Sequence, residues 1–155
     1  MSGETYLTIV GNLTGDPELR FTPSGKPVAS FTVASTSTRF DRQSNAWKES
    51  GTIFLRCSAW GDLAENCAES LRKGMRVIVT GQLAQDSWED RNTGERRSAL
   101  TMRAQDVAAS LRFARAKVER VERRPDQYQA GGQYAGEAYA AQQAFAGQRP
   151  DDEPP

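Results

Sequence analysis

The sequence predicts an all-β fold: a five-stranded Greek-key barrel with one helix between its third and fourth strands, followed by a disordered C-terminal tail. Three observations lead there. Several short runs alternate apolar and polar residues, stretches dense in Gly, Pro, Asp and Ser separate them, and one apolar stripe of helical spacing interrupts the series. A small β-sandwich or an SH3-like barrel with an inserted helix uses the same elements and is the competing architecture.

The first strand is expected at Tyr6 to Leu13 (YLTIVGNL), where Gly11 suits a bulge or a tight bend. Residues 14–27 (TGDPELRFTPSGKP) read as loop, broken by Asp16-Pro17 and Pro23-Ser24-Gly25. Val28 to Ser35 alternates as a second strand, and a polar connector from about Thr38 to Ser50 leads to the third, TIFLRCSAW at 52–60. One face of that strand is Ile53, Leu55, Cys57 and Ala59, an inward apolar row; the other is Phe54, Arg56, Ser58 and Trp60. The helix follows. Gly61-Asp62 supplies an N-cap, Leu63, Ala64, Cys67, Ala68 and Leu71 form one stripe, Arg72-Lys73 sit in the last turn, and Gly74 ends it. Arg76 to Leu83 is the fourth strand. Residues 84–90, a turn at Arg91-Asn92-Thr93-Gly94 and a return through Arg97 to Val107 form a hairpin that contains the fifth. This order fits an oligonucleotide-binding (OB) barrel closed by the helix.

Three segments result: a domain over 1–110, a charged extension over 111–124, and a tail over 125–155. The extension admits a short helix, since Leu111, Ala114, Val118 and Val121 keep rough helical spacing, and it carries six basic groups against Glu119 and Glu122. The tail is Gln-, Gly- and Ala-rich with too little apolar content to form a core. Basic and acidic residues balance at 20 each over the chain, so any electrostatic function lies in their distribution. No run is long and apolar enough to span a bilayer and the start lacks a signal-peptide pattern, which makes a cytoplasmic protein without a membrane partner the expectation. Two cysteines and no histidine provide neither a zinc set nor a disulfide framework and remove the commonest general base, which argues against most hydrolytic enzymes while leaving carboxylate or magnesium chemistry open; the expectation is a protein that is not an enzyme and holds no metal or cofactor.

The informative residues are large flat side chains outside the expected core. Phe40 and Trp47 lie in the polar connector, Phe54 and Trp60 share a strand face, and Trp88 stands near the late hairpin. A single loop tryptophan ordinarily caps a core. Five such rings interleaved with guanidinium groups suit stacked bases and phosphates: Arg56 lies between Phe54 and Trp60, Arg39 and Arg42 flank Phe40, and Arg96 and Arg97 lie across the hairpin from Trp88.

Residues 5 to 110 resemble the DNA-binding domain of the bacterial single-stranded DNA-binding proteins. The stretches that carry the likeness are VGNLTGDPELRFTPSGKPVASFTVA, TIFLRCSAWGDLAENCAESLRKG, and VIVTGQL followed by Trp88. The resemblance implies an OB fold, a homotetramer, and sequence-independent binding of single-stranded DNA in replication, repair and recombination at the nucleoid. It places base-stacking aromatics at Phe40, Phe54, Trp60 and Trp88, and backbone-contacting cations at Arg20, Arg56, Arg72, Lys73 and Arg96. Ala84, Gln85 and Asp86 fill positions that are frequently basic in relatives, as does Asp62. In the family an acidic tip ending in Pro and Phe docks replication and repair proteins; here the corresponding residues are Asp151, Asp152, Glu153, Pro154 and Pro155, with no terminal ring. A solubilising acidic tail is the alternative there.

Cys57 and Cys67 are expected as buried free thiols in the barrel, with a disulfide as the alternative. Two rival functions use the same fold: an accessory interaction module with reduced affinity for DNA, and a metal-dependent nuclease, against which the acidic residues show no convergent pattern.

Overall fold

The computed structural model describes residues 3–122. All its helix and strand lies in a unit that ends at Ala116, and residues 117–122 carry neither. The strands are β1 (Thr5–Leu13), β2 (Glu18–Phe21), β3 (Pro27–Asp41), β4 (Ala46–Trp60), β5 (Arg76–Glu89) and β6 (Arg96–Ala109), with α1 (Asp62–Ser70) between β4 and β5. No helix among the described residues is long and apolar enough to cross a membrane.

Six strands form one sheet in the order β1-β5-β6-β4-β3-β2, and β1 pairs β3 as well. Pairing therefore runs in a circuit, β1-β5-β6-β4-β3-β1, with β2 added outside it. Every pairing is antiparallel except the short parallel one between β4 and β6. Closing the circuit requires the backbones to approach closely at two points. A Cβ on Gly11 would stand 2.3 Å from the Ala34 carbonyl oxygen, and one on Gly81 would stand 2.2 Å from that of Arg103. Gly11 is thus neither bulge nor turn but a place where β1 meets β3.

The core is the inner face of this circuit: Ile9, Leu13, Phe31, Val33, Leu55, Cys57, Val77, Val79 and Met102 are buried there, with Ala64, Cys67 and Leu71 contributed by α1 and its end. The helix begins at Gly61, with no side-chain cap and with Asp62 and Glu65 in its first turn, where carboxylates favour the exposed N–H groups. The expected cap from Asp62 is not made. Arg72 and Lys73 lie just beyond the helix rather than in its last turn, yet Arg72 Nη1 donates to the carbonyls of Ala68 and Leu71 at 2.7 Å, which serves the same unpaired oxygens.

Four further expectations need correction. The strand count is six, because residues 18–21 within the supposed loop pair with β3. The polar connector 38–50 is not a loop: β3 and β4 run on as a hairpin to a turn at 42–45. Ile53 does not face the core; it is 63% exposed, because the buried row of β4 begins only at Leu55. The helix expected over 111–124 is absent through residue 122, since its apolar side chains have no face to pack on: Leu111 is exposed.

Candidate nucleic-acid interface

On the outer side of the sheet, residues directly opposite each other across strands form rows. Ala34 opposes Phe54, Thr32 opposes Arg56, and Arg56 opposes Thr101 of β6, which in turn opposes Ala84 of β5. The same face continues along β5 to Asp86 and Trp88, the latter opposite Arg97. A groove of about 490 Å³ lies there, lined by Thr32, Phe54, Arg56, Asp86, Trp88 and Thr101 among others. Phe54 is 66% exposed and Trp88 48%, so both rings offer a face to whatever enters.

Farther along, Trp60 opposes Val28, and Val28 opposes Arg20 of β2. The Arg103 guanidinium lies 5.5 Å from the centroid of the Trp60 ring, a cation on an aromatic face. Arg103 shares its row with Ser58. The sequence reading missed it, although its signal was present: Met102 and Ala104, on either side, are inward residues, so alternation sends Arg103 outward. Asp86, singled out only as a departure from the family, lines the groove itself, as do Thr32, Ser58, Leu100 and Thr101, none of which was counted as part of the site.

Phe40 and Trp47 oppose each other near the tip of the β3–β4 hairpin and pack edge to face, with ring centroids 5.4 Å apart. Phe40 is on the groove side by alternation from Thr32 and Ala34, and a bulge brings Trp47 to the same side. Ser37 pairs Gly51 and Thr38 pairs Glu49, so Ser50 is the extra residue and the alternation of β4 changes phase across it. Without that residue Trp47, an odd number of positions from Phe54, would point the other way. The tip is held by Asp41, which accepts from Gln43 N and Ser44 Oγ and pairs with Lys48 Nζ at 2.8 Å. Lys48 and these hydrogen bonds hold the Asp41 carboxyl below the usual carboxylate range. The second hairpin uses the same device, with Asp90 accepting from Asn92 N and pairing with Arg97 Nε at 3.1 Å.

The structure thus brings Phe54, Arg56 and Trp88 together in one groove, with Trp60 and Arg20 on the continuing face. Arg39 lines a smaller cleft with Phe40 at the hairpin tip, Arg42 lies in the turn, and Arg96 opposes Glu89 beside Arg97. Arg72 and Lys73 line neither groove; they belong to the loop between α1 and β5, where Lys73 N donates to Asp16. Asp151, Asp152, Glu153, Pro154 and Pro155 lie outside the described residues. The disulfide considered for Cys57 and Cys67 is not formed: both are free, buried thiols. Burial pushes Cys57 up to about 12, and burial with the nearby Asp106 charge pushes Cys67 up to about 11, which leaves both protonated and unreactive near neutrality.

Flat exposed rings and guanidinium groups on one side of a sheet whose other side is core make a surface suited to stacking bases and meeting phosphates. Comparison with known proteins agrees with that chemistry. The family model described as "Single-strand binding protein family" matches residues 5–110. The single-stranded DNA-binding protein of Paenarthrobacter aurescens is 47% identical over 171 aligned positions, covering 100% of this chain and 99% of that protein. That of Mycolicibacterium smegmatis is 56% identical over 123 positions, covering 79% of this chain and 74% of the relative. Among solved structures, the crystal structure of the small single-stranded DNA-binding protein from Streptomyces coelicolor matches with a TM-score of 0.62 at 30% identity, covering 71% of this chain and 97% of that one. By sequence, fold and the character of its outer face, the chain belongs to the single-strand binding protein family.

Proposed function

We propose that this chain binds single-stranded DNA without sequence preference and covers exposed strands during replication, repair and recombination in the cytoplasm, acting as a non-enzymatic homotetramer. The observation that carries the reading is the groove itself: Phe54 and Trp88 present π-faces around Arg56, and Trp60 with Arg103 continues the same face. Each base stacked on such a ring contributes about 1–3 kcal/mol whatever the base, while each guanidinium meets a phosphate. The closed order of strand pairing supports reading the sheet as an OB barrel to about residue 110, with β2 as an addition. Residues 111–124 then form a basic extension, and 125–155 a linker whose acidic tip offers replication and repair proteins a docking point.

The test is a titration of tryptophan fluorescence with oligo(dT) at two salt concentrations, alongside the mass of the assembly in solution. Strong quenching that weakens as salt rises is expected, because Trp60 and Trp88 lie where bases stack and the cations release counterions. No quenching at low salt overturns the reading and favours an interaction module that has kept only the fold.

A further inference from the structure

Beyond β6 the chain places an aromatic ring and a cation, beside a second cation at the start of β5, where the groove does not reach. Phe113 is 78% exposed, and two guanidinium carbons approach its ring, that of Arg112 at 5.4 Å from the centroid and that of Arg76 at 5.8 Å. This is not a loose chain end. The buried Ser110 donates its backbone N–H to the Arg76 carbonyl at 2.9 Å, and Arg112 N donates to Ser110 Oγ at 3.4 Å, which ties the segment to the first residue of β5.

One exposed phenylalanine means little by itself. The charges beside it are what call for a ligand. Among the described residues, neither Arg76 nor Arg112 has a carboxylate partner, and Arg76 Nε is buried without a hydrogen-bond acceptor. Two like charges held at one ring, with a donor already out of water, are completed by an anion that also carries a flat apolar face. A nucleotide has that composition: its phosphate satisfies the guanidiniums and its base stacks on the ring. A peptide of carboxylates alone would answer the charges but leave the ring in water.

We propose that Arg76, Arg112 and Phe113 form a second nucleotide site that takes single-stranded DNA outside the groove. Arg76 opens β5 and Trp88 lies 12 residues along it, roughly 40 Å at about 3.3 Å per residue. A strand filling both sites is therefore much longer than one filling the groove alone. Arg72 and Lys73, which line neither groove, precede Arg76 in the loop that Gly74 and Met75 bring to this end of β5 through Leu13. This inference rests on the groove binding single-stranded DNA.

The experiment uses the full chain and the variants Phe113→Ala and Arg112→Gln with oligo(dT) of two lengths. One is about 8 nucleotides, within the site size of a single OB fold, and one is several times longer. Both variants should bind the short strand as the wild type does and the long strand about five- to tenfold more weakly. Irradiation of the wild type with a long strand carrying 5-iodouracil should give an adduct on the peptide that holds Phe113. Unchanged long-strand affinity in both variants, with adducts confined to the groove, overturns the site. So does a loss of assembly mass in Phe113→Ala while Arg112→Gln binds normally, since the ring is then a subunit contact. If the wild type binds neither strand, the groove reading itself fails and this site with it.

Discussion

Replacing Arg103 by Ala separates a stacking platform from a merely well-filled surface. Arg103 is exposed between two buried neighbours, so removing its side chain leaves the core intact, and stability should stay within about 0.5 kcal/mol of the wild type. Its guanidinium, 5.5 Å from the Trp60 ring, contributes about 0.5–1 kcal/mol to holding that exposed ring in place. If it also meets one phosphate, its loss lowers the steepness of log affinity against log salt by about 0.7. Over a tenfold rise in salt that is a factor of about five, so the variant binds several-fold more weakly at low salt and approaches the wild type at high salt. The assay is the oligo(dT) titration of tryptophan fluorescence repeated from about 0.05 to about 0.5 M salt. Arg103→Lys serves as the control, restoring the salt slope without the planar contact to Trp60. Parallel salt lines with equal affinities for Arg103→Ala and wild type would refute the reasoning.

Asp86 stands in the groove with Arg56 and Trp88, where its charge opposes a phosphate; Asp86→Asn should tighten binding about two- to fivefold at low salt, with the gain fading as salt screens it, and a weaker variant would count against the groove as the strand's path. Gly81→Ala forces a Cβ to within 2.2 Å of the Arg103 carbonyl, an overpacking that costs on the order of 1–3 kcal/mol or more, so its thermal midpoint should fall by several degrees; an unchanged midpoint would show that the circuit relaxes freely there. The thiols set an alkaline limit. Folding raises the ionisation of Cys57 to about 12 and of Cys67 to about 11 from an ordinary value near 9, so their contribution is whole below that value and is lost as pH climbs through 9 toward 11 to 12. Stability against urea should therefore decline over that window by at most about 1.4 kcal/mol per pH unit for each thiol, and Cys67→Ala should make the decline shallower; the same decline in that variant would assign it to other groups.

Where one sheet face is buried, the sequence was legible. Val28 to Ser35, 55–60 and 76–83 alternate because one side of each meets the core, and the helix stripe is visible because Ala64, Cys67 and Leu71 cap that core. Where neither face is buried the alternation has no cause, and the reading failed. No residue from Ala34 to Phe54 is buried, which is why the connector passed for a loop and why Ile53 was assigned to a core that ends at Leu55. β2 was hidden differently, since all four of its residues are exposed and it lies among turn formers. The aromatics of the candidate site stood out because rings in polar surroundings are conspicuous. Arg103 and Asp86 were not, because charged residues on an outer face are ordinary until a groove or a ring is seen beside them.

The lengths of the strands explain where the candidate binding residues sit. β3 and β4 have 15 residues each and β5 and β6 have 14, near 50 Å at about 3.3 Å per residue, well beyond the stretch of each that packs on the core. The excess projects as two hairpins, 34–54 and 82–101, without a single buried residue between them. A two-stranded hairpin is marginal in water, and here each is held at its tip by an aspartate that caps the turn and pairs a cation on the returning strand, Asp41 with Lys48 and Asp90 with Arg97. Phe54 and Trp88 lie on these arms, while Arg56 and Cys57 lie where β4 meets the core, so the groove spans the projecting and the packed parts of the same sheet. Substitutions on the arms have little core to disturb, and their effects should fall on binding rather than folding. An arm that closes on a bound strand gains the burial its own sequence lacks, so ligand should protect the amides of 34–54 and 82–101 from hydrogen exchange far more than those of the core strands.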